Sequence, residues 1–349
     1  MIVFYIVKIL LLSSLAFIFA FALTPVLTNF LYKYKLGKQI RNNGDTPIFS
    51  RLHAHKAGTP TMGGILIWGT VLVFMVLFSF LADVFPGEIF QYLNFFSRSE
   101  TLLPLGVLVA SALIGLIDDW LDVSAKGVFG GGGLKLKHRL LIYALIATAG
   151  ALWFYFKLDW TVFHIPFFGN FEISWCYIPV FIIVIVSTSF SVNESDGLDG
   201  LAGGSLIMAF MAYGIIAFVL GWYQLAAFCG VIIGALLAFL WFNIPPARFY
   251  MGDTGAMSLG VTLGVIAMLT NSALLLPLIG LIFLIESMSV IIQVVSKKLR
   301  NKKVFLSAPI HHHFQAMGWP ESKIVMRFWV IAALGNVLGL IIFLADRLW

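Results

Sequence analysis

The chain has 349 residues, of which 60% are hydrophobic and only 11% charged. That balance excludes an ordinary water-soluble domain, in which about a quarter of residues are charged, and places the chain in a bilayer. The formal net charge of +6 does not call for a nucleic-acid partner, because basic residues in a membrane protein report orientation and contact with anionic lipid.

About 20 apolar residues are needed to cross the hydrocarbon core. Counting such runs predicts an all-α integral membrane protein with about ten transmembrane helices, centred near Phe19, Val71, Val109, Ala147, Ile183, Met211, Ile233, Leu263, Leu284 and Leu334. The first run, Ile9 to Leu31, is too long for a signal-peptide core and reads as a retained span. No internal repeat, low-complexity tail or soluble segment interrupts the pattern, so residues 1–349 read as a single multi-span domain. Cys176 and Cys229 both lie in apolar runs and suggest neither a disulfide framework nor a thiolate metal site.

Five connections, residues 32–60, 118–139, 193–200, 243–256 and 297–327, hold all of the 22 Lys and Arg except Lys8, Arg98, Lys157 and Arg347. The positive-inside rule assigns those five loops to the cytoplasm and both termini to the periplasm. Of the opposite connections, residues 158–174 contain Pro166, Gly169 and alternating apolar positions, the pattern of a small hairpin. Chemistry must then sit in the membrane-proximal loops and helix ends.

In chain order, the first polar segment of interest is Lys56-Ala57-Gly58-Thr59-Pro60-Thr61-Met62-Gly63-Gly64. Its Lys, Thr and Gly content resembles a phosphate cradle, although it is not a P-loop; the plainer reading is lipid-head contact for Lys56 and close helix packing for the glycines. Asp118, Asp119 and Asp122 follow at the end of the third apolar run. Next, Asn193-Glu194-Ser195-Asp196-Gly197-Leu198-Asp199-Gly200 sets two aspartates three apart, on one face of a helical turn. Asn243 and the stretch Arg248-Phe249-Tyr250-Met251-Gly252-Asp253-Thr254-Gly255 come after the seventh run, and taken alone they read as a loop punctuated by turn residues. Glu286 and Gln293 lie inside the ninth run, after Pro277, and suggest irregularity there. Finally, a basic run from Lys297 to Lys303 precedes Pro309-Ile310-His311-His312-His313. Neighbouring imidazoles diverge and cannot all face one metal, so contact with phosphate or a base fits them better.

One aspartate at a helix end is as often a solvated cap as a ligand. Three acidic clusters on the same side, beside hydrocarbon where ionised groups are costly, favour a shared cation and phosphate site. Oxygen donors of this kind suit Mg²⁺, which takes one or two carboxylates and completes its shell with water and substrate phosphate.

Together these ordered segments resemble the phospho-N-acetylmuramoyl-pentapeptide transferases, the MraY branch of the polyprenyl-phosphate N-acetylhexosamine-1-phosphate transferase superfamily, nearly end to end. The resemblance rests on Gly58 to Gly64, Asp118-Asp119, Asn193 with Asp196 to Leu201, Trp241-Phe242-Asn243, Met251-Gly252-Asp253 and Pro309 to His313. It implies transfer of phospho-MurNAc-pentapeptide from UDP-MurNAc-pentapeptide to undecaprenyl phosphate, with release of UMP, in the bacterial cytoplasmic (inner) membrane. It also implies Mg²⁺ held by Asp253, contact with membrane lipid, and a homodimer. Asp118, Asp119, Asp253 and His311 would be catalytic. Lys56, Thr61, Asn193, Asp196, Asp199, Asn243, Tyr250, Gln293, His312 and His313 would bind substrate, Tyr250 by stacking on uracil. The family's basic residue after the Asp118-Asp119 loop matches either Lys137 or Arg139. A relative that takes UDP-GlcNAc as donor and a secondary transporter are the competing readings; transporters place polar sites near the bilayer midplane, whereas here only Glu286 lies well inside a span.

Overall fold

The computed structural model describes residues 2–37, 58–85, 87–124, 134 and 136–348. The helices are α1 (Ile2–Lys33), α2 (Ile65–Val84), the short α3 (Glu88–Leu93), α4 (Leu102–Val123), α5 (Leu136–Lys157), α6 (Tyr177–Ser195), α7 (Leu201–Val219), α8 (Tyr223–Asn243), α9 (Gly252–Leu269), the one-turn α10 (Leu276–Ile279), α11 (Leu281–Arg300), the short α12 (Ile310–Ala316) and α13 (Glu321–Asp346). Among the described residues, nine helices are long and apolar enough to cross a membrane, and a tenth crossing appears if Ala273–Ile279 and Leu281–Arg300, bent by 85°, count as one broken span. The irregularity expected around Pro277 is this break. The expected hairpin is present as β1 (Val162–Ile165) paired antiparallel with β2 (Gly169–Glu172), Val162 opposite Glu172 and Ile165 opposite Gly169.

Helix α9 is the axis of the bundle. Every residue from Gly252 to Leu269 is buried except Asp253, and α9 packs against α4 on one side and α6 on the other. Helices α7 and α8 pack on each other, α1 lies along α8, and α13 lies along α7. In lipid the hydrophobic effect adds little between spans, so association depends on close backbone approach at small residues. Gly115 on α4 shows how close: a methyl group there would stand 2.4 Å from the carbonyl oxygen of Asp253. That contact fixes the height of α4 against α9 and sets Asp118, one turn further along the same face, beside Asp253.

The outer helices turn apolar side chains outward, as on α1, where Val3, Leu10, Ile18 and Val26 are exposed. This is the ordinary arrangement for a surface that faces acyl chains rather than water.

Candidate active site

Four helix ends converge at one end of the bundle. Asp118 ends α4, Arg139 begins α5, Asn193 ends α6 and Asp253 begins α9. Arg139 forms ion pairs with Asp118 (Nε to Oδ2, 2.7 Å) and with Asp253 (Nη2 to Oδ2, 2.6 Å). Its third nitrogen donates to Asn193 Oδ1 at 3.4 Å, and Asn193 Nδ2 donates in turn to Asp253 Oδ1. Asp118 also accepts the backbone N–H of Leu134 at 2.6 Å. One planar guanidinium thus bridges two carboxylates, a geometry that the point charge of lysine cannot reproduce. Of the two basic candidates in this segment, Arg139 makes these contacts; Lys137 is exposed.

Asp119 faces the same place in another way. Its Oδ1 accepts the backbone N–H of Asp253 at 3.0 Å and the hydroxyl of Thr61 at 3.3 Å, while Oδ2 accepts the N–H of Thr254 at 3.0 Å. It therefore satisfies the first amides of α9, which have no partner within the helix, and a carboxylate suits the positive end of the helix dipole. Gly252 makes the approach possible: it has φ +73°, and a Cβ there would lie 2.5 Å from both Asp119 Oδ2 and Thr61 Oγ1. The Gly-Asp-Thr-Gly run is thus a helix start pressed onto a carboxylate. Gly63 and Gly64 run alongside it, their amides donating to the carbonyls of Tyr250 and Met251, each at 2.8 Å.

A second group of side chains holds the surrounding turns. Asn243 accepts the N–H of Gly200 and donates to the carbonyl of Phe249, both at 2.9 Å. Asp199 accepts the N–H of Ala247 at 3.0 Å, and its own N–H donates to Glu321 Oε1 at 2.6 Å. Together these contacts tie the 196–200 turn to the 243–251 loop and to the start of α13. Tyr250 sits beside the Thr59 hydroxyl; burial pushes its phenol above the ordinary tyrosine range, and the nearby Asp199, Glu321 and Asp196 carboxylates push the same way. It stays neutral and presents a ring next to the acidic turn.

The expected divergence of the three histidines is only partial: each takes a different partner, but the rings of His311 and His312 pack edge to face with centroids 4.0 Å apart. His311 meets Glu286 at 2.8 Å, His312 Nδ1 lies 2.8 Å from Gln315 Oε1, and His313 Nδ1 accepts the N–H of Leu306 at 3.2 Å. Gln293 is engaged with the chain after α11: its Oε1 accepts the amides of Val304 and Phe305 and its Nε2 donates to the Phe305 carbonyl. Lys56 lies outside the described residues. Sequence reasoning left Glu321 without a role, although an acidic residue in the first turn after Trp319-Pro320 is a helix-start signal that marks it.

The donor chemistry at the Asp118–Asp253 pair fits a hard divalent cation: carboxylate and amide oxygens, buried against α9, with no thiolate nearby. Among the described residues no group of three or more His, Cys, Asp or Glu is placed to enclose a metal. A site of one or two carboxylates that leaves the remaining positions to water and phosphate is the arrangement typical of Mg²⁺.

The family described as Glycosyl transferase family 4 matches residues 101–271, and the Phospho-N-acetylmuramoyl-pentapeptide-transferase signature 1 matches residues 56–67. The chain is 37% identical to the phospho-N-acetylmuramoyl-pentapeptide-transferase of Chloroflexus aggregans over 344 residues, covering 95% of this chain and 88% of that one. It is 38% identical to the protein of the same name from Anoxybacillus flavithermus, covering 95% and 96%, and 37% identical to that from Thermodesulfovibrio yellowstonii, covering 93% and 90%.

Proposed function

The chain belongs to the phospho-N-acetylmuramoyl-pentapeptide transferase family, and from that premise we propose how its own residues carry out the transfer. The enzyme moves phospho-MurNAc-pentapeptide from UDP-MurNAc-pentapeptide to a polyprenyl phosphate, here undecaprenyl phosphate, releasing UMP and forming lipid I for peptidoglycan synthesis. The observation that carries the residue assignment is the convergence of Asp118, Arg139, Asn193 and Asp253 at one end of the bundle.

One phosphoanhydride replaces another in this reaction. The lipid phosphate, with a second pKa near 6, is largely ionised at neutral pH and needs little help from a general base. The barrier is the mutual repulsion of two anionic substrates and the alignment of the attacking oxygen with the sugar-linked phosphorus. Arg139 supplies fixed positive charge where the phosphates meet, held rigid by two carboxylates. Asp118 faces the lipid phosphate and orients it. Asp119 fixes the start of α9 and through it the direction of Asp253. Asn193, Asp196, Asp199, Asn243 and the neutral ring of Tyr250 form the nucleotide side of the site, with Thr61, His312 and His313 on its rim. Asp253, with Asp118 beside it, would hold Mg²⁺, which when bound screens the anionic substrates and stabilises the departing UMP.

Three of the five connections on this side, residues 32–60, 118–139 and 297–327, hold 17 of the 22 Lys and Arg, which supports a cytoplasmic site in the bacterial inner membrane with both termini periplasmic. The family resemblance supports a homodimer. Release of UMP by purified protein in detergent tests the reading: turnover should require UDP-MurNAc-pentapeptide, polyprenyl phosphate and Mg²⁺ together. Equal turnover with UDP-GlcNAc would move the enzyme to a different donor class, and absence of UMP release would end the transferase assignment.

A further inference from the structure

Glu286, in the second turn of α11, is the most buried acidic side chain among the described residues. Both it and His311 are 0% exposed, and Glu286 Oε2 lies 2.8 Å from His311 Nδ1. The backbone amides of Ile310 and His311, at the start of α12, also lie near this carboxyl. An ionised group at this depth costs several kcal/mol unless it is partnered, and nothing about spanning a bilayer requires a glutamate here.

The other edge of the imidazole explains its placement. Gly197 lies so close that a Cβ there would stand 2.3 Å from His311 Nε2. The ring therefore connects the buried carboxylate of α11 to the turn between Asp196 and Asp199. Glu286 engages Nδ1 and Nε2 is the nitrogen turned to the acidic turn; an acidic group hydrogen-bonded behind an imidazole fixes the orientation of the ring.

We infer that Glu286 is a positioning residue for the transfer: through Nδ1 it holds His311 so that Nε2 addresses the 196–200 turn. The inference rests on the reading that His311 belongs to the active site, and it adds a group inside the bilayer segment whose effect is exerted wholly through that histidine. Glycine at position 197 is the matching requirement on the opposite side of the ring.

The test is a double-mutant cycle in purified, detergent-solubilised enzyme, with UMP release measured at saturating substrates, KM for UDP-MurNAc-pentapeptide, and thermal midpoints. E286L should lower kcat by about 10–100-fold, the range expected for loss of a group that orients another, with KM nearly unchanged. In the H311A background the same substitution should cost nothing further. Multiplicative losses in E286L/H311A, or an E286L enzyme with wild-type kcat beside an impaired H311A, would overturn the inference alone. An H311A enzyme with wild-type kcat would overturn the placement of His311 in the site, and the inference with it. If E286L is not recovered folded, E286Q replaces it in the same cycle, keeping volume and an acceptor oxygen. A smaller kcat loss that vanishes in H311A supports the inference, and one that persists there overturns it.

Discussion

Both ends of the bundle bury charge, and they do so differently. At the end opposite the active site, Lys8 donates to the Asn94 carbonyl at 2.8 Å and to Gln224 Oε1 at 2.7 Å, with Glu100 nearby accepting the amides of Gln224 and Leu225. Asp346 there meets His164 Nε2 at 2.7 Å and accepts the N–H of Phe167 at 2.5 Å, clamping the hairpin to the end of α13. Each charged side chain at that end closes a joint between segments, Lys8 through two neutral oxygens and Asp346 through an imidazole and a backbone amide. At the active-site end a single guanidinium serves two carboxylates, and glycines let backbone approach within contact distance. A structural cluster spreads its charged groups over single joints; the proposed site keeps several carboxylates in one place, which is costly beside hydrocarbon unless they are partnered.

Chelation should break this symmetry most sharply. Removal of Mg²⁺ with EDTA is expected to abolish UMP release, restored on adding Mg²⁺, while the thermal midpoint moves little; retained turnover would dismiss the cation. Next in size, Asp253→Asn should lower kcat by about a thousandfold or more, equivalent to roughly 4 kcal/mol, in protein that remains folded. Near-normal turnover in that variant would remove Asp253 from the centre of the site.

A pair of glycines sharpens the contrast further. Gly252→Ala would push a methyl onto Asp119 and Thr61, and a misplacement of about 1 Å can cost on the order of a hundredfold in rate. Gly221, at the other end, has a comparable φ of +81° but nothing within 4 Å of an added Cβ. Gly221→Ala should therefore cost only about 1–2 kcal/mol of stability, read by thermal unfolding, with turnover unchanged. The smallest effect on activity is expected for Lys8→Met: the Asn94 carbonyl and Gln224 Oε1 lose their donor, at about 1–3 kcal/mol of stability for each buried acceptor left unsatisfied, yet kcat should stay within about twofold because Lys8 lies at the end of the bundle away from the chemistry. A large kcat loss there would mean that the two ends are coupled.

Much of this was legible in the chain itself. Spans centred near Phe19, Val71 and Val109 appear as α1, α2 and α4 because runs of this length and apolarity permit little but helices in lipid. The hairpin at 162–172 followed from alternation around Pro166 and Gly169. The ninth span was harder: Pro277 pointed to irregularity, but the 85° break at Gly280 is a property of how α10 packs against α13.

The acidic motifs were visible as residue types, and their division of labour was not. Asp118 and Asp119 are adjacent in the chain, yet one pairs with Arg139 and the other caps α9. Likewise, counting from Gly133 pointed to Arg139 and left Lys137 as the other candidate, and only the height of α5 against α4 and α9 decides which reaches the carboxylates. Glu286 read as an anomaly in a span until His311, 25 residues away, was seen against it.

By itself the amino-acid sequence determined that this protein is a multi-span helical membrane protein, and its motifs identified the transferase family and the reaction. Hydrophobic runs and residue types act locally and survive any change of packing. Tertiary structure alone decided which carboxylate meets Arg139, which one caps a helix and which stands behind a histidine, because those roles depend on registers between helices. Such registers are set by close contacts such as that of Gly115 with Asp253, which no linear pattern records.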